Sequence, residues 1–219
     1  MKTLLRILAV AAAVSGAVRA QTAEISALVK DAAGRPLAEA VVIAFPSDGS
    51  VRVPAKPRDD AIFQVDKEFV PKVSVVLAGT AIAFPNNDSV RHHVYSFSPA
   101  KKFELPLYQG VPAKPVVFDQ PGVVVLGCNI HDWMVAYVYV SESPHYAKSG
   151  ADGKATIAAL PAGSYAVRVW HPQLEGDEAH TRKVVDLTKS RRASVEWSLA
   201  LKAELRVRRA PSSKQSGSY

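Results

Sequence analysis

The segment Gly122-Val123-Val124-Val125-Leu126-Gly127-Cys128-Asn129-Ile130-His131-Asp132-Trp133-Met134-Val135-Ala136-Tyr137-Val138-Tyr139-Val140 decides how the rest of the chain is read. Its opening run is apolar, rich in β-branched residues and of strand length, and Val135–Val140 is a second such run. Between them Cys128, His131 and Met134 follow one another at intervals of three. A loop that short between two strands can turn a thiol, an imidazole and a thioether onto one point. Cys128 is the only cysteine, and Met134 the only methionine besides Met1.

Outward from this loop, the chain keeps the same texture. Helix signals are scarce, and short alternating or apolar runs recur between Gly, Pro, Asn and Asp, which predicts an all-β protein. Strands are expected at Glu24–Lys30, Ala40–Phe45, Lys72–Leu77, Ala81–Phe84, His93–Phe97, Gly122–Gly127 and Val135–Val140. Four more are expected at Lys154–Ala159, Tyr165–Trp170, Arg182–Asp186 and Ser194–Leu199. Turn residues cluster at Asp31–Pro36, Pro85–Asp88 and Ala151–Gly153.

Upstream, Pro85-Asn86-Asn87-Asp88-Ser89-Val90-Arg91-His92-His93-Val94 offers a histidine where a polar turn enters a strand. In an extended strand His92 and His93 point to opposite faces, so only one can readily face an ion that Cys128 faces. Thiolate, two imidazoles and a weak thioether suit an electron-transfer copper site, because each tolerates both oxidation states of the metal. Zinc is the main rival, but zinc would prefer a further Cys, His or carboxylate to a thioether. His145, His171 and His180 read as surface or turn residues. No nucleophile-elbow glycine pattern accompanies Ser96 or Ser98, and Asp59-Asp60 reads as solvated charge, so the chain is not expected to be an enzyme.

The ends add context. Lys2 and Arg6 precede the short apolar stretch Ile7–Val14, and Val18-Arg19-Ala20 stands where a signal peptidase would cut, so residues 1–20 read as a cleaved secretory leader. The mature chain is then expected in the periplasm, without a transmembrane segment. Loss of the leader lowers the formal charge from +7 to +4. Gln21–His180 holds 14 basic and 17 acidic residues, against 10 and 3 in Thr181–Tyr219. That basic end could lean on an anionic surface, or be a strand edge kept soluble by its charge. No nucleic-acid motif accompanies it. Residues 210–219 are polar, Ser-rich and expected to be disordered. A lone cysteine excludes an internal disulfide and a CxxCH haem site, and an exported thiol is a liability unless it is buried or occupied.

On these residues, Val70 to Ser141 resembles a cupredoxin, a blue-copper domain of the amicyanin and plastocyanin type. The Cys-x2-His-x2-Met loop is most similar to that of amicyanin. The resemblance implies a Greek-key sandwich over 62–141 with His92, Cys128, His131 and Met134 as ligands of one copper ion, and it favours His92 over His93. Two departures stand out: His93 where relatives often have Asn, and Asp132-Trp133 in place of an apolar Pro-Phe type pair. Leu28–Ala40 and Ala151–Tyr165 resemble two halves of a carboxypeptidase regulatory-like, transthyretin- or Ig-like sandwich, here separated by the copper motif. The cupredoxin is therefore expected to be inserted into, or packed beside, a split sandwich of residues 21–50 and 146–201. The whole chain is similar to exported proteins labelled methylamine utilisation proteins. The function implied is one-electron transfer with a redox partner protein, or else copper storage, delivery or sensing.

Overall fold

A computed structural model describes residues 22–51, 57–112 and 114–203. The expected leader and the polar tail lie outside these residues. Seventeen strands and one 3-10 turn, with no α-helix, make up the described elements, so the protein is all-β. No helix among the described residues is long and apolar enough to cross a membrane.

The chain opens with β1 (Ala23–Asp31) and β2 (Val41–Pro46). Then follow β3 (Asp60–Ala61), β4 (Phe63–Val65), β5 (Glu68–Val70), β6 (Val73–Leu77) and β7 (Thr80–Ala83). The central strands are β8 (His92–Ser98), β9 (Lys101–Tyr108), β10 (Val116–Phe118), β11 (Gly122–Gly127) and β12 (Val135–Ser141). The last are β13 (Tyr146–Lys148), β14 (Lys154–Leu160), β15 (Ser164–Trp170), β16 (Lys183–Asp186) and β17 (Arg192–Leu199).

Two sheets join the beginning of the chain to its end. One has the order β14-β1-β17 and the other β13-β2-β15-β16. β1 runs antiparallel to β14 and parallel to β17. Its inward residues Ala23, Ile25, Ala27 and Val29 are buried and alternate with half-buried ones, as the two-residue period of a strand requires. They meet Val42, Val167, Val169 and Trp197 in one core. The intervening residues form a five-stranded sheet β6-β12-β11-β8-β9, a sheet β10-β7-β3 and the hairpin β4-β5. Their core holds Phe84, Phe118, Leu126, Cys128, Met134 and Val138.

A third, smaller cluster lies between the two groups of sheets. β2 turns Val42 and Ala44 into the first core and Val41 and Ile43 into this seam. β12 likewise turns Ala136, Val138 and Val140 into its own core, and Tyr137 and Tyr139 into the seam against Trp170. Burial on both faces explains why both strands read as nearly continuous apolar runs. Polar ties flank the seam. Lys148 Nζ donates to the Val73 carbonyl at 2.7 Å and pairs with Glu39 at 2.8 Å, and the Tyr139 hydroxyl donates to Glu178 at 2.8 Å.

All eleven expected strands are present, within one or two residues. Six others were not expected: β3, β4, β5, β9, β10 and β13. β9 contains Pro106, which cannot donate to a ladder, and it is tolerated because β9 is an edge strand.

Candidate metal centre

β11 places its alternate residues Val124 and Leu126 in the core and delivers Cys128, 3% exposed, just past its end. Gly127 matters to that exit. A Cβ there would lie 2.8 Å from Tyr95 Cζ, so only glycine lets the Tyr95 ring rest on the strand beside the cysteine. The loop then turns back, with the Met134 N–H donating to the His131 carbonyl at 2.9 Å. Met134 is 1% exposed and packs in the same core cluster as Cys128.

The second limb begins at Asn86. Its side-chain amide donates to the carbonyls of Val90 and Tyr108, both at 2.9 Å, and its Oδ1 accepts from the Asp88 N–H at 3.0 Å. The turn so held ends at His92, fully buried as the first residue of β8. His92, Cys128 and His131 converge: one ligand atom from each lies within 4.8 Å of the others. Cys128 Sγ stands 3.9 Å from His92 Nδ1 and 3.8 Å from His131 Nδ1. Two atoms bound to one metal ion at about 2.0–2.3 Å lie at most about 4.6 Å apart, and both sulfur–nitrogen distances fall within that reach, so the group could hold a single ion. The donor chemistry, one soft sulfur and two imidazoles, fits a transition metal.

Second partners orient the rings, as is usual for histidines that bind metals. His92 Nε2 lies 2.7 Å from Asp88 Oδ2, and the carboxylate also accepts from the Asp66 N–H at 2.7 Å and the Lys67 N–H at 2.9 Å. Burial pushes the Asp88 carboxyl up, but the bonds from Lys67, His92 and Asp66 outweigh it and hold it below its ordinary value. Burial pushes the His131 ring down, with smaller contributions from His92 and Lys67 opposed by Asp88, which favours the neutral imidazole a metal needs. The Trp133 ring lies 5.2 Å from His131, and its Nε1–H donates to the Lys67 carbonyl at 3.1 Å. Asp66 and Lys67 form the two-residue turn of the β4–β5 hairpin with φ of 52° and 59°, the left-handed pair that such turns demand.

His93 lies outside this group. Its Nε2 is 3.0 Å from Glu104 Oε1, off the direction of a hydrogen bond, and its ring stands 5.5 Å from Tyr95. His180 is exposed, and His145 packs edge-on against Tyr165. His171 is a turn residue but buried, accepting from the Gln173 N–H at 3.1 Å. Sequence reasoning assigned no role to Asp88, Asp66 or Lys67. The four-residue step from Asp88 to His92 was the available signal for the first. Alternation of Phe63-Gln64-Val65 and Glu68-Phe69-Val70 around a polar pair was the signal for the hairpin.

No protein-family model matches the chain, and no curated protein matches it. Solved structures do. A purple cupredoxin from Nitrosopumilus maritimus is 26% identical over 38% of this chain and 100% of its own, with a TM-score of 0.34. A copper-containing nitrite reductase from Thermus scotoductus is 22% identical over 53% of this chain and 28% of its own, at 0.36. An amicyanin variant is 16% identical over 47% of this chain and 99% of its own, at 0.34.

Proposed function

We propose that the chain is an exported mononuclear copper protein that carries one electron at a time, with His92, Cys128, His131 and Met134 as ligands. The observation that supports it best is the convergence of the only cysteine with two imidazoles in a nearly dry corner of a β-sandwich core. When bound there, copper would supply a one-electron couple between its cuprous and cupric states. The chain's own residues keep that change cheap in motion. Cys128 is fixed by the end of β11, His92 by Asp88, and Met134 is packed in the core as a weak fourth donor. His131 is half-buried, with Ile130 48% exposed beside it, so its edge is the natural contact for a redox partner protein. Residues 62–141 are read as the cupredoxin and the split sandwich of 21–50 and 146–201 as a docking or spacing module. Residues 1–20, read as a secretory leader, would deliver the mature protein to the periplasm, and no catalytic role is assigned.

The test is copper loading of the purified chain. One copper per chain, an intense visible charge-transfer band and a reversible voltammogram are expected, and Cys128→Ser should abolish the band. A colourless chain that takes zinc in preference to copper would sink the reading. Copper held without a reversible wave would instead make this a storage, delivery or sensing protein.

A further inference from the structure

The turn of the β4–β5 hairpin is bonded to both limbs of the metal centre through adjacent residues. We propose that it acts as a clasp on them, closed by the indole of Trp133 as a positioning residue, and that the clasp slows release of the metal. The identity of the metal rests on the copper reading above; the geometry rests on the fold alone.

β8 and β11 are neighbours in one sheet, which holds His92 against Cys128. Residues 128–134 lie outside any strand, so the apex bearing His131 has no ladder to hold it. Trp133 ties it down. Its ring packs beside His131, and its Nε1–H donates to the Lys67 carbonyl. That carbonyl is presented by a turn whose two N–H groups are both committed to Asp88, and the same carboxylate accepts His92 Nε2. The connection therefore runs from Trp133 through Lys67 and Asp88 to His92 without touching the metal. For the ion to escape, His131 must move away from His92 and Cys128. That movement carries the Trp133 ring with it and breaks the indole bond.

Trp133→Phe keeps an aromatic ring beside His131 and deletes only the N–H. The variant should still take one copper but lose it to a chelator roughly fivefold faster than the parent, the effect of one net hydrogen bond. Lys67→Arg keeps both the carbonyl and the positive charge near His131, and asks no more of the left-handed backbone than lysine does, so it should release copper at the parental rate. In the metal-free chain the Trp133 indole N–H should exchange with solvent more slowly than a free indole. An unchanged rate in Trp133→Phe, an equal acceleration in Lys67→Arg, or indole exchange at the free rate would each overturn the clasp. A parent chain that binds no copper would defeat the copper reading, and the exchange measurement would then decide the clasp by itself.

Discussion

The residues proposed as ligands could be picked out because two of them are chemically unique. A single cysteine and a single internal methionine, six residues apart with a histidine midway, leave little else to consider. Their supports were not legible, since Asp88 and the Asp66-Lys67 turn meet His92 only after long-range packing. His92→Ala should therefore lose or distort the copper site, whereas His93→Ala should retain copper with a changed potential. Metal analysis and voltammetry separate the two, and the opposite pattern would reverse the assignment. Met134→Leu conserves volume and removes a weak donor, so copper and colour should persist while the potential rises. The cupric state, being harder and more highly charged, loses more from that removal. An unchanged or lowered potential would take Met134 off the ligand list. Gly127→Ala should cost about 1 kcal/mol by displacing the Tyr95 ring, and much of that cost should vanish in a Tyr95→Ser background. Urea unfolding of the two singles and the double measures this coupling.

The longer strands that feed a core announced themselves, whereas the shortest strands and the charged edge strand β9 did not. β4, β5, β10 and β13 are each three residues long, too short for a periodicity to declare itself. β9 was hidden by its proline and its charged residues, which suit an edge. Turn composition was more informative. Asp31–Pro36 and Asp152-Gly153 meet at adjoining ends of β1 and β14, where the Val29 N–H donates to the Gly153 carbonyl at 2.8 Å. Gly153 has φ of +73°, and a Cβ there would lie 2.4 Å from the Val29 carbonyl oxygen, a backbone atom that cannot step aside. Gly153→Ala should thus destabilise the chain by about 2–4 kcal/mol, read as a lower urea midpoint. A midpoint within error of the parent would show that β14 can shift to make room.

Across the whole molecule the seam joins the two groups of sheets through Tyr139, Trp170, Val41, Ile43 and Val73. Glu178 reaches into it to accept from the Tyr139 hydroxyl. Burial pushes the Glu178 carboxyl up, and the Tyr139 bond and the Arg168 charge only partly offset this, so its folded value stays above the ordinary one. The folded state then binds more protons than the unfolded state between those two values. Stability attributable to Glu178 is present below the ordinary value and falls as pH rises through the folded one. Glu178→Gln should flatten that part of the stability–pH curve, measured by urea unfolding at several pH values. An equal slope in parent and variant would place the proton uptake elsewhere.

The pairing of β1 with β17 also sets a clock. The Lys30–Glu196 ion pair across that ladder closes at 2.6 Å between residues 166 apart in the chain. Most of the polypeptide must exist before the first strand finds its parallel neighbour, and contacts of such long range are slow to form. The sheets of residues 60–141 face no such wait, because their partners lie within their own stretch. During biogenesis the metal-binding half can thus close around its thiol while the opening strand is still an unpaired edge. Until β14 and β17 arrive, that edge presents unpaired backbone groups and stays open to mispairing.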